Sequence, residues 1–224
     1  MATIKKYQFA VIATDVVIFT IQNNELKVLL IKMKKSPFTG RWAAPGGLVG
    51  PNESVDESAA RHLVEKTGLK NVYMEQLYTF GKVNRDPFGR VVSVAYSALI
   101  PPDAKVKIFT TAEYQDIAWF PARHLPAIAY DHKEIISYAI ERLKSKLEYT
   151  NIVYSLMPRE FTLGELQDVY ELILGRKLDK RNFRRKIASA RMIRELAKKR
   201  EGEANRPAAL YIFTSHKPQK VEMI

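Results

Sequence analysis

Residues 46–69, GGLVGPNESVDESAARHLVEKTGL, admit one local structure: a glycine turn, a short polar loop and a single helix. Ser54 is placed to cap the helix N-terminus with Glu57 three residues on, the reciprocal pattern of a capping box. Gly68 is placed to close the C-terminus in a left-handed conformation. Between the caps, Glu57, Arg61 and Glu65 recur at four-residue intervals and share one face, while Val55, Ala59 and Leu63 share another. An amphipathic helix so tightly bounded must lay its apolar face on a second layer.

The flanking sequence supplies that layer. Residues 9–21 are apolar and β-branched, QNNE makes a polar turn, and LKVLLIKM resumes at 26–33, which predicts a hairpin of buried strands. The N-terminal run follows basic residues as in a signal peptide, but Asp15 interrupts it and no small-residue cleavage site follows, so it reads as a first strand. Residues 72–83 and 91–100 alternate as two further strands joined by the turn-rich NRDPFGR, and IAWF at 117–120 predicts a last short one. Residues 132–147 repeat Ile135, Ile136, Ala139, Ile140, Leu143 and Leu147 at helical spacing. No apolar run reaches the roughly 18 residues of a membrane helix. The absence of cysteine removes disulfides and thiolate metal sites and suits the cytoplasm.

Gly47, Glu53, Arg61, Leu63, Glu65, Gly68 and Leu69 stand in register with the Nudix box, and RWAAPGGLV matches its usual lead-in. The segment therefore resembles a Nudix domain over roughly residues 8–145, and the resemblance implies an α/β/α sandwich around a mixed sheet. In that family the box carboxylates hold the magnesium ions that activate water against a pyrophosphate. Here His62 and Lys66 replace two of the three, and hard cations need oxygen ligands. Glu65 remains as the single candidate metal ligand, and Glu65 with Glu53 would be the groups to carry catalysis in an active enzyme. Glu53 and Arg61 read alternatively as a structural ion pair, and His62 as a packing histidine. Lys66 offers a fixed charge that could neutralise phosphate where a hydrolase uses magnesium. No cofactor is required on this reading. Arg41, Trp42, Gly46, Gly47, Arg61, Glu65 and Lys66 are the effector-binding candidates. Arg85, Asp86 and Arg90 are further candidates for ligand contact, as plausible at the surface. The glycines serve either close backbone approach or a tight turn.

Composition changes after residue 147. Residues 148–158, EYTNIVYSLMP, lack periodicity and read as an inter-domain connection, separating domains at 8–147 and 159–216. Thr162 and Glu165 form a second capping box, opening a helix that buries Leu163, Leu166, Val169, Tyr170 and Ile173 and stops at Gly175. Asp179 caps KRNFRRKIASA, whose inner face is Phe183, Ile187 and Ala190. Residues 193–196 and the clearer 208–213 are strands around a polar loop, KKREGEANRP. Helix, turn, helix and basic-tipped hairpin outline a winged helix-turn-helix. Residues 176–206 hold thirteen Lys or Arg against four Asp or Glu, a net +9 of the chain's +12, which points to a polyanionic partner.

FTLGELQDVYELILGRKLDKRNFRRKIASARMI and RPAALYIF closely resemble the C-terminal domain of the Nudix-related transcriptional regulators, the NrtR family. That resemblance covers nearly the whole chain. It implies a dimeric repressor of double-stranded operator DNA whose Nudix domain senses an effector, ADP-ribose in regulators of NAD metabolism or a sugar in a related branch. At the start of the second helix, Lys180, Arg181 and Asn182 are placed to read bases. Arg184, Arg185 and Lys186, with Lys198, Lys199, Arg200 and Arg206 on the wing, are placed to hold phosphates. The competing expectation is a Nudix hydrolase of ADP-ribose or another nucleoside diphosphate, with the tail as an accessory domain.

Overall fold

The turn that the two asparagines predict sets the register of the first hairpin. Asn23 and Asn24 both lie in the left-handed region, at φ 52° and 56°, and reverse β1 (Val11–Gln22) into β2 (Glu25–Met33). Two positive φ values give a turn whose twist matches that of the strands, and asparagine tolerates them better than most residues. The computed structural model describes residues 9–107, 114–200 and 208–221.

Five strands form a continuous sheet in the order β3 (Trp42–Ala43), β2, β1, β6 (Val91–Leu99), β5 (Tyr73–Phe80). The short β4 (Gly46–Leu48) adds to β1 and β7 (Tyr114–Pro121) to β2. β1 and β6 run parallel from Val11↔Val91 to Phe19↔Leu99, and the other pairs are antiparallel, so the sheet is mixed. β7 extends beyond the expected 117–120 because it pairs along nearly all of β2, from Lys27↔Pro121 to Met33↔Tyr114. Val16, Val17, Ile18 and Phe19 are all fully buried, as a strand covered on both faces requires.

Successive side chains of β1 serve different layers. Val16 and Ile18 pack with Ala59 and Leu63 of α1 (Val55–Thr67). Val17 and Phe19 pack with Ile135, Ile136, Ala139 and Leu143 of α2 (His132–Tyr149). In α1 the Ser54 hydroxyl accepts from the Glu57 amide at 3.2 Å, the Glu57 carboxylate accepts from the Ser54 amide at 2.8 Å, and Gly68 ends the helix at φ 69°.

The segment 148–158, read from the sequence as the inter-domain connection, is itself structured and packed. It holds the end of α2 and a 3-10 turn, Ile152–Leu156, and Ile152, Val153, Leu156 and Met157 are buried. Their missing periodicity reflects burial from several sides. The same apolar cluster continues into α3 (Leu163–Leu174) and α4 (Lys180–Ala190) through Phe161, Leu166, Tyr170, Ile173, Phe183 and Ile187. Thr162 with Glu165 and Asp179 with Asn182 cap these helices as expected. β8 (Ile193–Arg200) and β9 (Ala208–Phe213) form the wing, and β8 extends into residues 198–200, which the sequence places in the loop. Phe161 exchanges both backbone bonds with Tyr211, at 3.1 and 2.7 Å, and ties the wing to the start of α3. Tyr170 meets Phe183 edge to face at 5.3 Å, the contact that sets α4 on α3. Among the described residues no helix is long and apolar enough to cross a membrane.

Candidate effector cleft and nucleic-acid interface

A cleft of about 420 Å³ opens at the end of the sheet where β1, β4 and the 81–90 loop meet. Its walls are largely apolar, including Ala13, Ile31, Leu48, Phe88 and Tyr130. Its floor is polar. Asp15, nearly buried in β1, accepts from the Ser93 hydroxyl at 2.6 Å and from Arg85 at 3.2 Å. Arg85 also donates a two-point fork to Asp131, at 2.9 and 2.7 Å. Burial works against the Arg85 charge, but the bonds to Asp131 and the charge of Asp15 outweigh it, so its pKa is raised. His132, the first residue of α2, accepts at Nδ1 from the Ala44 amide at 3.0 Å, so its proton sits on Nε2, facing Asp15. Gly46 admits no side chain, because a Cβ there would lie 2.4 Å from both the Asp15 carboxylate and the Thr14 carbonyl.

Gly46 and Gly47 line the cleft, as do Arg85, Asp86 and Arg90. Arg41 and Trp42 do not. Arg41 is exposed outside it, and Trp42 turns to the other side of β3, where it packs edge-on against Phe120 at 4.5 Å. Strand alternation decides this: Ala43, the next residue, faces the cleft instead. Asp15, Ser93, Tyr130 and His132, to which the sequence assigns no ligand role, come from three separate segments: β1, β6 and the start of α2.

Beside the cleft, the box helix shows what became of its metal positions. Arg61 grips Glu53 through two bonds, at 2.9 and 2.6 Å, and reaches Glu65 at 3.3 Å. The Arg61 bond and the Gly50 amide hold the Glu53 carboxyl at a pKa of about 2. His62 is buried against Gly47, where a Cβ would come within 3.0 Å of its ring. Burial and then the Arg61 charge lower the His62 pKa, leaving the imidazole neutral at pH 7. Lys66 is not placed in the cleft as a direct phosphate ligand. It is 2% exposed, with its ammonium 4.4 Å from the ring centroid of Tyr114, and Tyr114 is what lines the cleft. One ion-paired carboxylate, a neutral imidazole and a buried ammonium do not fit magnesium, which takes oxygen ligands in octahedral geometry. No group of three or more His, Asp or Glu among the described residues is arranged to hold a metal.

A carboxyl lowered on folding stabilises the fold above its unfolded pKa, near 4.5 here, and that contribution disappears as pH falls toward the folded value, about 2. Glu53→Gln is therefore expected to flatten the stability profile between those pH values. Urea midpoints across that window provide the measurement, and an unchanged slope contradicts the linkage.

The second surface is α4. Lys180, Arg181, Asn182, Arg184 and Arg185 are exposed along it and Lys186 is half-buried, while Phe183 and Ile187 face inward. None of its five cations carries an ion pair among the described residues. On the wing, by contrast, Lys198 pairs with Glu160 at 2.7 Å and Arg200 pairs with Glu165. Arg206 and the side chain of Lys199 lie outside the described residues.

A mixed-sheet sandwich carrying an altered Nudix box, followed by a winged helix with an unpaired cationic helix, defines the class: a Nudix domain joined to a nucleic-acid-binding domain. The NUDIX domain family matches residues 12–139, and the NrtR DNA-binding winged helix domain matches residues 153–213. The chain is 35% identical over 209 residues to the ADPR responsive transcriptional repressor NtrR of Acinetobacter baylyi, covering 92% of this chain and 83% of that protein. The crystal structure of Shewanella oneidensis NrtR complexed with a 27mer DNA superposes with a TM-score of 0.79 at 36% identity, covering 91% of this chain and 93% of the other. The NUDIX domain of the same protein complexed with ADP ribose gives 0.55 at 35% identity, covering 63% of this chain and 94% of the other. The chain belongs to the NrtR family.

Proposed function

We propose that the protein is an ADP-ribose-responsive transcriptional repressor whose Nudix domain binds its effector without hydrolysing it. The observation that carries this reading is a roomy cleft kept intact beside metal positions taken by His62 and by the buried Lys66. The repressors and complexes to which the chain is similar support the effector and the DNA partner. It acts in the cytoplasm on genes of NAD metabolism, as a homodimer, because two-fold heads read palindromic operators.

The route between the sites runs along α2. Asp131 and His132 tie its start to the cleft floor, and Leu147 at its other end sits in the core shared with α3. A coupling of about 1–3 kcal/mol would weaken operator affinity about 5- to 150-fold when the effector binds. Fluorescence anisotropy on a duplex operator, titrated with and without ADP-ribose, is expected to show that weakening. Operator affinity unchanged at saturating ADP-ribose would overturn the reading. So would magnesium-dependent release of AMP and ribose 5-phosphate at enzyme rates, abolished by Glu65→Gln.

A further inference from the structure

We infer that the floor of the cleft reads a hydrogen-bond-donating group of the effector through Asp15, while the diphosphate stays toward the rim. This rests on the effector reading above. The two oxygens of Asp15 are unequally committed. Oδ2 accepts from Ser93 at 2.6 Å and from Arg85 at 3.2 Å. Among the described residues, Oδ1 has only His132 Nε2 at 3.5 Å, beyond an ordinary N–H···O bond. The same oxygen lies 2.4 Å from where a Gly46 Cβ would stand, so the missing side chain is what leaves it uncovered in the cleft.

A carboxylate accepts and cannot donate, and it repels phosphate. The group that enters the floor must therefore be a hydroxyl or an amino group. ADP-ribose offers two sources at opposite ends, the hydroxyls of its terminal ribose and the exocyclic amine of its adenine. Arg90 and Lys35 also line the cleft and are not among the partners of Asp15, so they offer the diphosphate positive charge that the Asp15 carboxylate does not cancel by pairing.

Asp15→Asn tests the assignment with little change of shape. Ser93 and Arg85 both donate, so they hold the amide oxygen, and the amide nitrogen takes the place of Oδ1. The free acceptor becomes a donor facing a donor. Calorimetric titration of the full chain with ADP-ribose is expected to show affinity falling about 10- to 150-fold, the range for a hydrogen bond to a charged group. The same titration with ADP, which lacks the terminal ribose, and with the inosine analogue of ADP-ribose, which lacks the amine, locates the donor. The loss should collapse for one of the two and persist for the other.

Comparing ligands within one variant cancels any change in folding, which thermal melts report separately. An equal loss for all three ligands would overturn the assignment, making Asp15 a scaffold for Arg85, and so would no loss with ADP-ribose. A wild-type protein that binds none of them would overturn the effector reading, and this inference with it.

Discussion

Lys180→Glu, Arg181→Glu and Arg184→Glu combined are expected to weaken duplex binding by three or more orders of magnitude while leaving ADP-ribose affinity unchanged. Lost phosphate contacts alone predict a large effect, since six to ten of them govern a 10³- to 10⁵-fold change in affinity between 50 and 200 mM salt. Here three attractions become repulsions as well. The slope of affinity against salt should flatten by about one per contact removed, which separates lost charge from lost shape. Folding should survive. The substituted side chains are exposed, Phe183 and Ile187 keep the inner face, and Asp179 still caps the Asn182 amide at 2.7 Å. Glutamates in the first turn even complement the helix dipole. The wing cannot compensate in full, because Lys198 and Arg200 are already paired to Glu160 and Glu165. Anisotropy across a salt series checks the result. A combined variant within about tenfold of wild type would move the interface elsewhere.

Much of this architecture was legible because its determinants are local. Ser54, Glu57 and Gly68, and again Thr162, Glu165 and Gly175, specify helix ends within a few residues of themselves, and the structure places both helices between them. Asn23 and Asn24 did the same for the first hairpin. The cleft floor was not legible for the opposite reason. Asp15 meets Ser93 and Arg85 across separations of 78 and 70 residues, so no local pattern marks it, and in sequence it only interrupts an apolar run. His132 looked like the start of a helix, which it is, with nothing to show that both ring nitrogens face the cleft network. Trp42 failed differently. It stands among the effector-binding candidates, but a strand residue's neighbours lie on alternate sides, and parity in so short a strand is fixed only by its partner β2. Residues 148–158 lacked periodicity because they are packed from several directions, and the same absence would mark an exposed linker.

Arg85 carries the other large expected effect. Arg85→Met should destabilise the fold by about 3–5 kcal/mol, the cost of stranding buried charge by removing one partner of an ion pair. Its side chain is 3% exposed and those of Asp15 and Asp131 are 7% and 12% exposed. Burial makes the difference. Lys82 and Glu134 stand just as close, at 2.6 Å, but with side chains 69% and 49% exposed, and Lys82→Met should cost no more than about 1 kcal/mol. Geometry alone would rank the two pairs alike, so urea denaturation of both variants tests whether solvent decides the ranking. A loss under about 1 kcal/mol for Arg85→Met would mean that the network is not held as a charge triad. Adding Asp15→Asn and Asp131→Asn to Arg85→Met should restore part of the loss, because an uncharged floor no longer needs the guanidinium. That restored fold should still fail to release operator at ADP-ribose concentrations high enough to saturate the Asp15→Asn variant alone. Arg85 makes the buried bonds that join the 81–90 loop to both the floor of the cleft and the start of α2; methionine can support the loop without them, and the exposed Lys82–Glu134 pair does not replace them.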